Sequence, residues 1–219
     1  MSGNFRAYLA ELVGTFALVF AAAGSASLDA GCGGSLAPAL AYGAASATAL
    51  FAFGPTSGGH FNPAITAAML AARRVDGITA LFYVASQLLG AALAGLFIKA
   101  ALHAGAPQLG ACALTGVGFR GGTLIEAVST FFLVSTYMAT AGTRRGPDRL
   151  GPVPVGLSVL FCALVTGPST GAAMNPARAF GPAVASGLWT NWFVYWIGPL
   201  AGAAAAALMQ ENLFSKFNS

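Results

Sequence analysis

Two short apolar segments, each opened by Asn-Pro-Ala, constrain this chain more than any other feature. Asn62-Pro63-Ala64 begins the run to Ala72, and Asn175-Pro176-Ala177 begins the run to Ser186. Asn is a strong N-cap residue, and Pro is favoured at the first helical position, where its missing N–H costs nothing. Each motif therefore reads as a helix start, yet each run is too short to cross a hydrocarbon layer about 30 Å thick. A lone Asn-Pro is a common turn dipeptide. Two copies 113 residues apart, each followed by Ala, preceded by a Gly-containing polar loop and set in apolar sequence, make that plain reading poor.

A second correspondence has nearly the same offset. Glu11, Thr15 and Phe16 in AELVGTFALVF recur 115 residues later as Glu126, Thr130 and Phe131 in IEAVSTFFLVS. Two matches at nearly one offset argue for duplication within a single domain over 1–219, with repeats of about 1–112 and 113–219.

The rest of the chain belongs to a membrane protein. It is 57% hydrophobic and 7% charged, where soluble domains carry roughly 25% charged residues. Apolar stretches predict full spans at Ala7 to Leu28, Ala37 to Phe53, Ala80 to His103, Gly122 to Ala141, Pro152 to Thr166 and Trp192 to Leu213. The first is read as a retained helix rather than a signal peptide, because its apolar stretch runs through Phe20 and five more spans follow. Three spans per half is an odd number, so the second repeat enters the membrane inverted. The expected fold is all-α, with six transmembrane helices and two re-entrant half-helices whose Asn-Pro-Ala ends meet near the midplane.

Six spans put both termini on one side, together with Arg6, Arg73, Arg74, Arg144, Arg145, Arg149 and Lys216. Positive charge is retained in the cytoplasm, so the expected protein is a multi-pass one in the cell (inner) membrane with both termini cytoplasmic. The loops near Asp29, Gln108 and Asn191 then face outward, and Lys99 snorkels to that outer interface. A formal net charge of +4 is spread singly or in pairs between apolar segments, with no basic face for nucleic acid.

Cys32, Cys112 and Cys162 lack metal-ligand spacing, and His60 and His103 lie far apart in the chain. No metal and no cofactor are expected. A Cys32 to Cys112 disulfide between outer loops is conceivable but is not predicted.

Both half-helices would direct their positive dipole ends at one central point, with the Asn amides as donors into a pore. Such a point repels cations and binds water. A central water receiving donors from both sides turns its own donors outward, which breaks the continuous chain that proton conduction needs. Glu11 and Glu126 occupy equivalent places inside spans, where a carboxylate is expensive. The loops Gly54 to Phe61 and Gly167 to Met174 bring non-helical backbone to membrane depth, and each glutamate is expected to brace one loop by accepting its N–H groups. Solvation of both carboxylates near helix ends is the competing reading. Arg178 follows the second motif where Ile65 follows the first. Its guanidinium is expected to present donors and a fixed positive charge to the outer pore.

SGGHFNPA and AMNPARAFGPA resemble the major intrinsic protein family, the aquaporins and glycerol facilitators, and the resemblance covers essentially the whole chain. It implies one pore per subunit, a homotetramer in the lipid bilayer, and a constriction of four side chains, which transfer to Tyr42, Ala163, Ala172 and Arg178. It also implies pore-lining carbonyls at Gly58, Gly59, His60 and Phe61 and at Gly171, Ala172, Ala173 and Met174, with the His60 ring turned away into packing or a hydrogen bond. Strict water channels of the family usually carry His where this chain has Ala163. The expected solutes are therefore water and small uncharged molecules: glycerol, urea, or metalloid hydroxides such as arsenite or boric acid. Tyr195-Trp196, and the lack of Asp after Arg178, instead look like a strict water channel. Cys162 beside this constriction is the candidate for mercurial block.

Two other classes compete. A coupled secondary transporter also uses inverted repeats, but outside the two glutamates there is no embedded cluster to carry a driving ion. A sealed bundle would use the same 29 glycines for helix contacts. No nucleophile, base and orienting group converge, so an enzyme is not expected.

Overall fold

The computed structural model describes residues 3–28, 36–102, 108–142 and 150–214. Asp29, Cys32, His103, Arg144, Arg145, Arg149 and Lys216 lie outside the described residues. So do their parts in the orientation reading and in the Cys32 to Cys112 pairing.

Within these limits the chain forms eight α-helices: α1 (Gly3–Leu28), α2 (Leu36–Ser57), α3 (Pro63–Ala71), α4 (Gly77–Leu102), α5 (Phe119–Ala139), α6 (Pro152–Thr170), α7 (Pro176–Ser186) and α8 (Val194–Met209). Five of them, α1, α2, α4, α5 and α6, are long and apolar enough to cross a membrane. The sixth expected span differs: α8 has 16 residues and continues as a π-helical turn over Gln210–Phe214.

Polarity is distributed inside out, as a lipid solvent requires. Leu9 and Phe20 on α1 and Leu81, Leu89 and Leu96 on α4 are exposed, whereas Glu11, Thr15 and Gln87 on the same helices are fully buried.

Packing repeats between the halves. Helix α1 lies on α2 and α4, and α5 lies on α6 and α8; α7 packs on α4 as α3 packs on α8; α2 and α6 join the halves. Small residues permit these contacts. A Cβ on Gly90 would run into the carbonyl of Leu12, and one on Gly202 would run into that of Ala127, the equivalent contact in the second half. Where α2 meets α6 the contact is reciprocal. A Cβ on Gly43 would lie 2.7 Å from Gly156 O, and one on Gly156 would lie 2.6 Å from Gly43 O.

Two boundaries depart from the sequence expectation. Helix α2 runs through Pro55 to Ser57, and α6 runs through Pro168 to Thr170. Each proline forfeits one helical hydrogen bond, but the turn beyond it still closes, Gly58 N donating to Gly54 O at 2.8 Å and Gly171 N to Gly167 O at 2.9 Å. The non-helical loops are therefore shorter than Gly54 to Phe61 and Gly167 to Met174.

At the start of α4, Asp76 caps the helix: Thr79 N donates to Oδ1 at 2.9 Å and Thr79 Oγ1 to Oδ2 at 2.6 Å. The Thr79 hydroxyl, then the Thr79 amide, hold this exposed carboxyl below its ordinary range. Lys99 was expected only to reach the interface. Its ammonium donates to Ala185 O at 2.8 Å, placing a cation at the C-terminal end of α7, where the helix dipole favours it.

Candidate functional site

The two loops that precede α3 and α7 share one backbone path. Gly58, Gly59 and Phe61 have φ of 92°, 70° and 48°, and Gly171, Ala172 and Met174, each 113 residues later, have 78°, 46° and 50°. Left-handed φ at Phe61, Ala172 and Met174 is costly for residues with a Cβ, of order 1–3 kcal/mol each, and persists only where surroundings enforce it. Here the enforcing groups are the two buried carboxylates.

Glu11 accepts from Ser57 Oγ (2.6 Å), His60 N (2.9 Å), Phe61 N (2.7 Å) and Gln87 Nε2 (2.7 Å). Glu126 accepts from Thr170 Oγ1 (2.7 Å), Ala173 N (3.0 Å) and Met174 N (2.7 Å). Both glutamates are fully buried, so these bonds replace the water that an exposed carboxyl group would hold. Ser57 and Thr170, five residues before each Asn, escaped sequence reading although their equivalence was legible there. Gln87 had one signal, the lone side-chain amide of a mostly apolar helix. With N–H groups turned to the glutamates, the alternating backbone directs carbonyls the other way.

Asn62 and Asn175 are N-caps in extended conformation, with φ of −156° and −154°. Asn62 Oδ1 accepts from Ala64 N at 2.8 Å, and Asn175 Oδ1 from Ala177 N at 2.9 Å. Pro63 and Pro176 occupy the first helical turn, and Ala64 and Ala177 are wholly buried behind them. The amide nitrogens cross over: Asn62 Nδ2 donates to Met174 O and Asn175 Nδ2 to Phe61 O, each at 2.9 Å. The N-termini of α3 and α7 are thus brought together. Each amide spends one N–H on that crossing and keeps a second.

Several of the carbonyls expected along the path accept a hydrogen bond from within the protein. Phe61 O and Met174 O serve the asparagines. Gly58 O accepts from Tyr137 Oη at 2.7 Å, and Ala173 O accepts from Tyr42 Oη at 2.9 Å. Neither tyrosine contact follows from local sequence. Gly171 O faces the Cys112 thiol at 3.8 Å. The His60 ring packs edge-on to Tyr83, centroids 5.1 Å apart, with Nδ1 3.0 Å from Thr66 Oγ1.

Among the four residues expected at the constriction, Tyr42 reaches the second loop through Ala173, next to Ala172. Arg178 is 3% exposed; its Nη1 donates to Gly110 O at 2.9 Å and to Cys112 Sγ, and its Nε is buried with no partner among the described residues. Ala163 is buried on α6. Cys162, beside it, is also buried and directs its thiol at Ser129 O, 3.7 Å away on α5.

Two cavities follow one another here. One has Tyr42, Asn62 and Asn175 in its wall. Another, larger one opens beside Arg73 and Arg74.

The family model for the major intrinsic proteins matches residues 1–210. Aquaporin TIP4-4 of Zea mays is 43% identical over 226 residues, covering 97% of this chain and 88% of its own length. Aquaporin TIP1-2, also of Zea mays, is 40% identical over 220 residues, covering 95% and 86%. In three dimensions the chain is similar to the X-ray structure of the aquaglyceroporin from Plasmodium falciparum, with a TM-score of 0.86, 20% identity and 98% of both chains covered. The inside-out helices, the paired Asn-Pro-Ala starts and these matches lead to one conclusion: the chain belongs to the major intrinsic protein family.

Proposed function

We propose that this chain is a passive pore for water and small uncharged solutes, glycerol, urea or metalloid hydroxides such as arsenite and boric acid, and that it excludes protons and ions. As a channel of the major intrinsic protein family it is a multi-pass membrane protein and not an enzyme. The observation that carries the solute reading is the crossing of Asn62 and Asn175. Two helix N-termini converge there with a spare amide N–H each. A cation meets two positive dipole ends, whereas water accepts from both amides and is fixed with its donors outward.

In this reading the repeats, about 1–112 and 113–219, insert in opposite senses and form one channel domain. Tyr42, Ala163, Ala172 and Arg178 form the outer constriction, with Arg178 supplying donors and charge. Two small side chains in that ring admit solutes larger than water. A strict water channel is the second reading, favoured by the Tyr42 hydroxyl held on the Ala173 carbonyl, which fixes an aromatic ring at this point, and by Tyr195-Trp196.

Assembly as a homotetramer and cytoplasmic termini complete the proposal. The sequence expectation is the cell membrane; similarity to tonoplast intrinsic aquaporins favours an internal membrane, and fractionation of the source cells distinguishes the two. Stopped-flow light scattering of proteoliposomes tests the function. Faster shrinkage than empty vesicles under an impermeant osmolyte, followed by reswelling under glycerol or urea, is expected. Fast shrinkage without reswelling leaves the strict water channel, and no acceleration overturns both.

A further inference from the structure

The two cavities have just two wall residues in common, His60 and Tyr137. They stand where the cavity of the asparagine crossing adjoins the one at the Arg73 end. Tyr137 is 1% exposed, and its position is fixed from two sides. Its hydroxyl donates to Gly58 O at 2.7 Å. Gly142 lies so close to its ring that a Cβ there would overlap it. The His60 ring stands perpendicular to it, at 89° with centroids 5.9 Å apart.

Thr66 Oγ1 donates to Asn62 O and accepts from Gln87 Nε2. With the Thr66 proton placed so, His60 Nδ1, 3.0 Å from the same oxygen, is the donor in that contact, and Nε2 of the neutral ring is an acceptor. The Tyr137 oxygen has spent its proton on Gly58 and likewise has lone pairs to offer. The neck thus presents acceptors, whereas Arg178 presents donors.

We propose that Tyr137, latched to Gly58 and flanked by His60, is a second specificity-determining residue. Its ring width limits solute size, and its surroundings receive solutes through their own O–H or N–H groups. This rests on the channel reading above.

The test is the ratio of glycerol to water permeability in proteoliposomes of the full chain. Tyr137→Val opens the neck and is expected to raise the ratio about tenfold, the scale of small steric changes in a confined site. Tyr137→Phe keeps the ring, and its ratio is expected within about twofold of wild type. If Tyr137→Val fails to insert, Tyr137→Leu is read the same way. A Val or Leu variant that conducts water at the wild-type ratio overturns the proposal, as does a Phe variant that shifts the ratio as far as Val. Wild-type protein that conducts no water overturns the channel reading itself, a separate outcome from an unmoved ratio.

Discussion

Gln87 donates to Glu11 at 2.7 Å, a bond that has no counterpart at Glu126 among the described residues. The same amide nitrogen also reaches Thr66 Oγ1 at 3.0 Å, so α1, α3 and α4 are joined at one buried point. The first loop is therefore braced by one more donor than the second.

Removing that donor separates bracing from charge. Gln87→Leu is expected to cost about 1–3 kcal/mol, the desolvation cost of a buried polar group that has lost a partner. Glu11→Ala deprives four donors at once and is expected to cost more and abolish conduction. Thermal unfolding in detergent, read beside water permeability, checks both; a Glu11→Ala protein with wild-type stability contradicts the bracing role.

Ala163→His narrows the proposed outer constriction and adds a polar contact. Glycerol permeation is expected to fall about tenfold while water permeation falls far less. Equal losses for both solutes place Ala163 outside the constriction.

Arg178→Ala removes the fixed cation beside the crossing. Proton leak and cation conductance of loaded vesicles are expected to rise, with water permeability retained. An unchanged leak assigns Arg178 only to bracing the Gly110 and Cys112 segment.

Much of this was readable from the chain because it is local or duplicated. Asn followed by Pro starts a helix wherever it stands, and an offset repeated by Glu11 with Glu126 and by Asn62 with Asn175 pairs the halves without coordinates. The contacts of Tyr42 with Ala173, Tyr137 with Gly58 and Gln87 with Glu11 were hidden. Each joins residues far apart in sequence and lacks an equivalent in the other repeat, so neither spacing nor symmetry announces it. The expected span ends at Phe53 and Thr166 fell short, because α2 and α6 continue through Pro55 and Pro168 in turns that close from Gly58 and Gly171.

Close helix contacts give a stability prediction. Gly202→Ala pushes a methyl into the Ala127 carbonyl and is expected to destabilise by about 1–3 kcal/mol. Gly77→Ala, in the first turn of α4 with nothing within 4 Å, is expected to stabilise by up to about 1 kcal/mol through helix propensity. Unfolding midpoints of the two variants in one detergent check the contrast.

The Asp76 cap carries a pH signature. Its carboxyl is lowered on folding, through Thr79 first, so its stabilisation is present above the unfolded carboxylate pKa and fades as pH falls through the folded value. The stability gap between wild type and Asp76→Ala is expected at neutral pH and should close in acid. A gap independent of pH contradicts a charged cap.

The placement of the polar ties bears on biogenesis. Among the described residues, Glu11 and Glu126 each bind groups of their own half alone, so either loop has its internal support as soon as its half is made. The Asn62 amide and the Gly58 carbonyl instead find their partners at Met174 and Tyr137, later in synthesis. During translation the leading half must wait in the bilayer with those groups unmatched. Two separately expressed pieces cut between the halves have a chemical reason to seek each other.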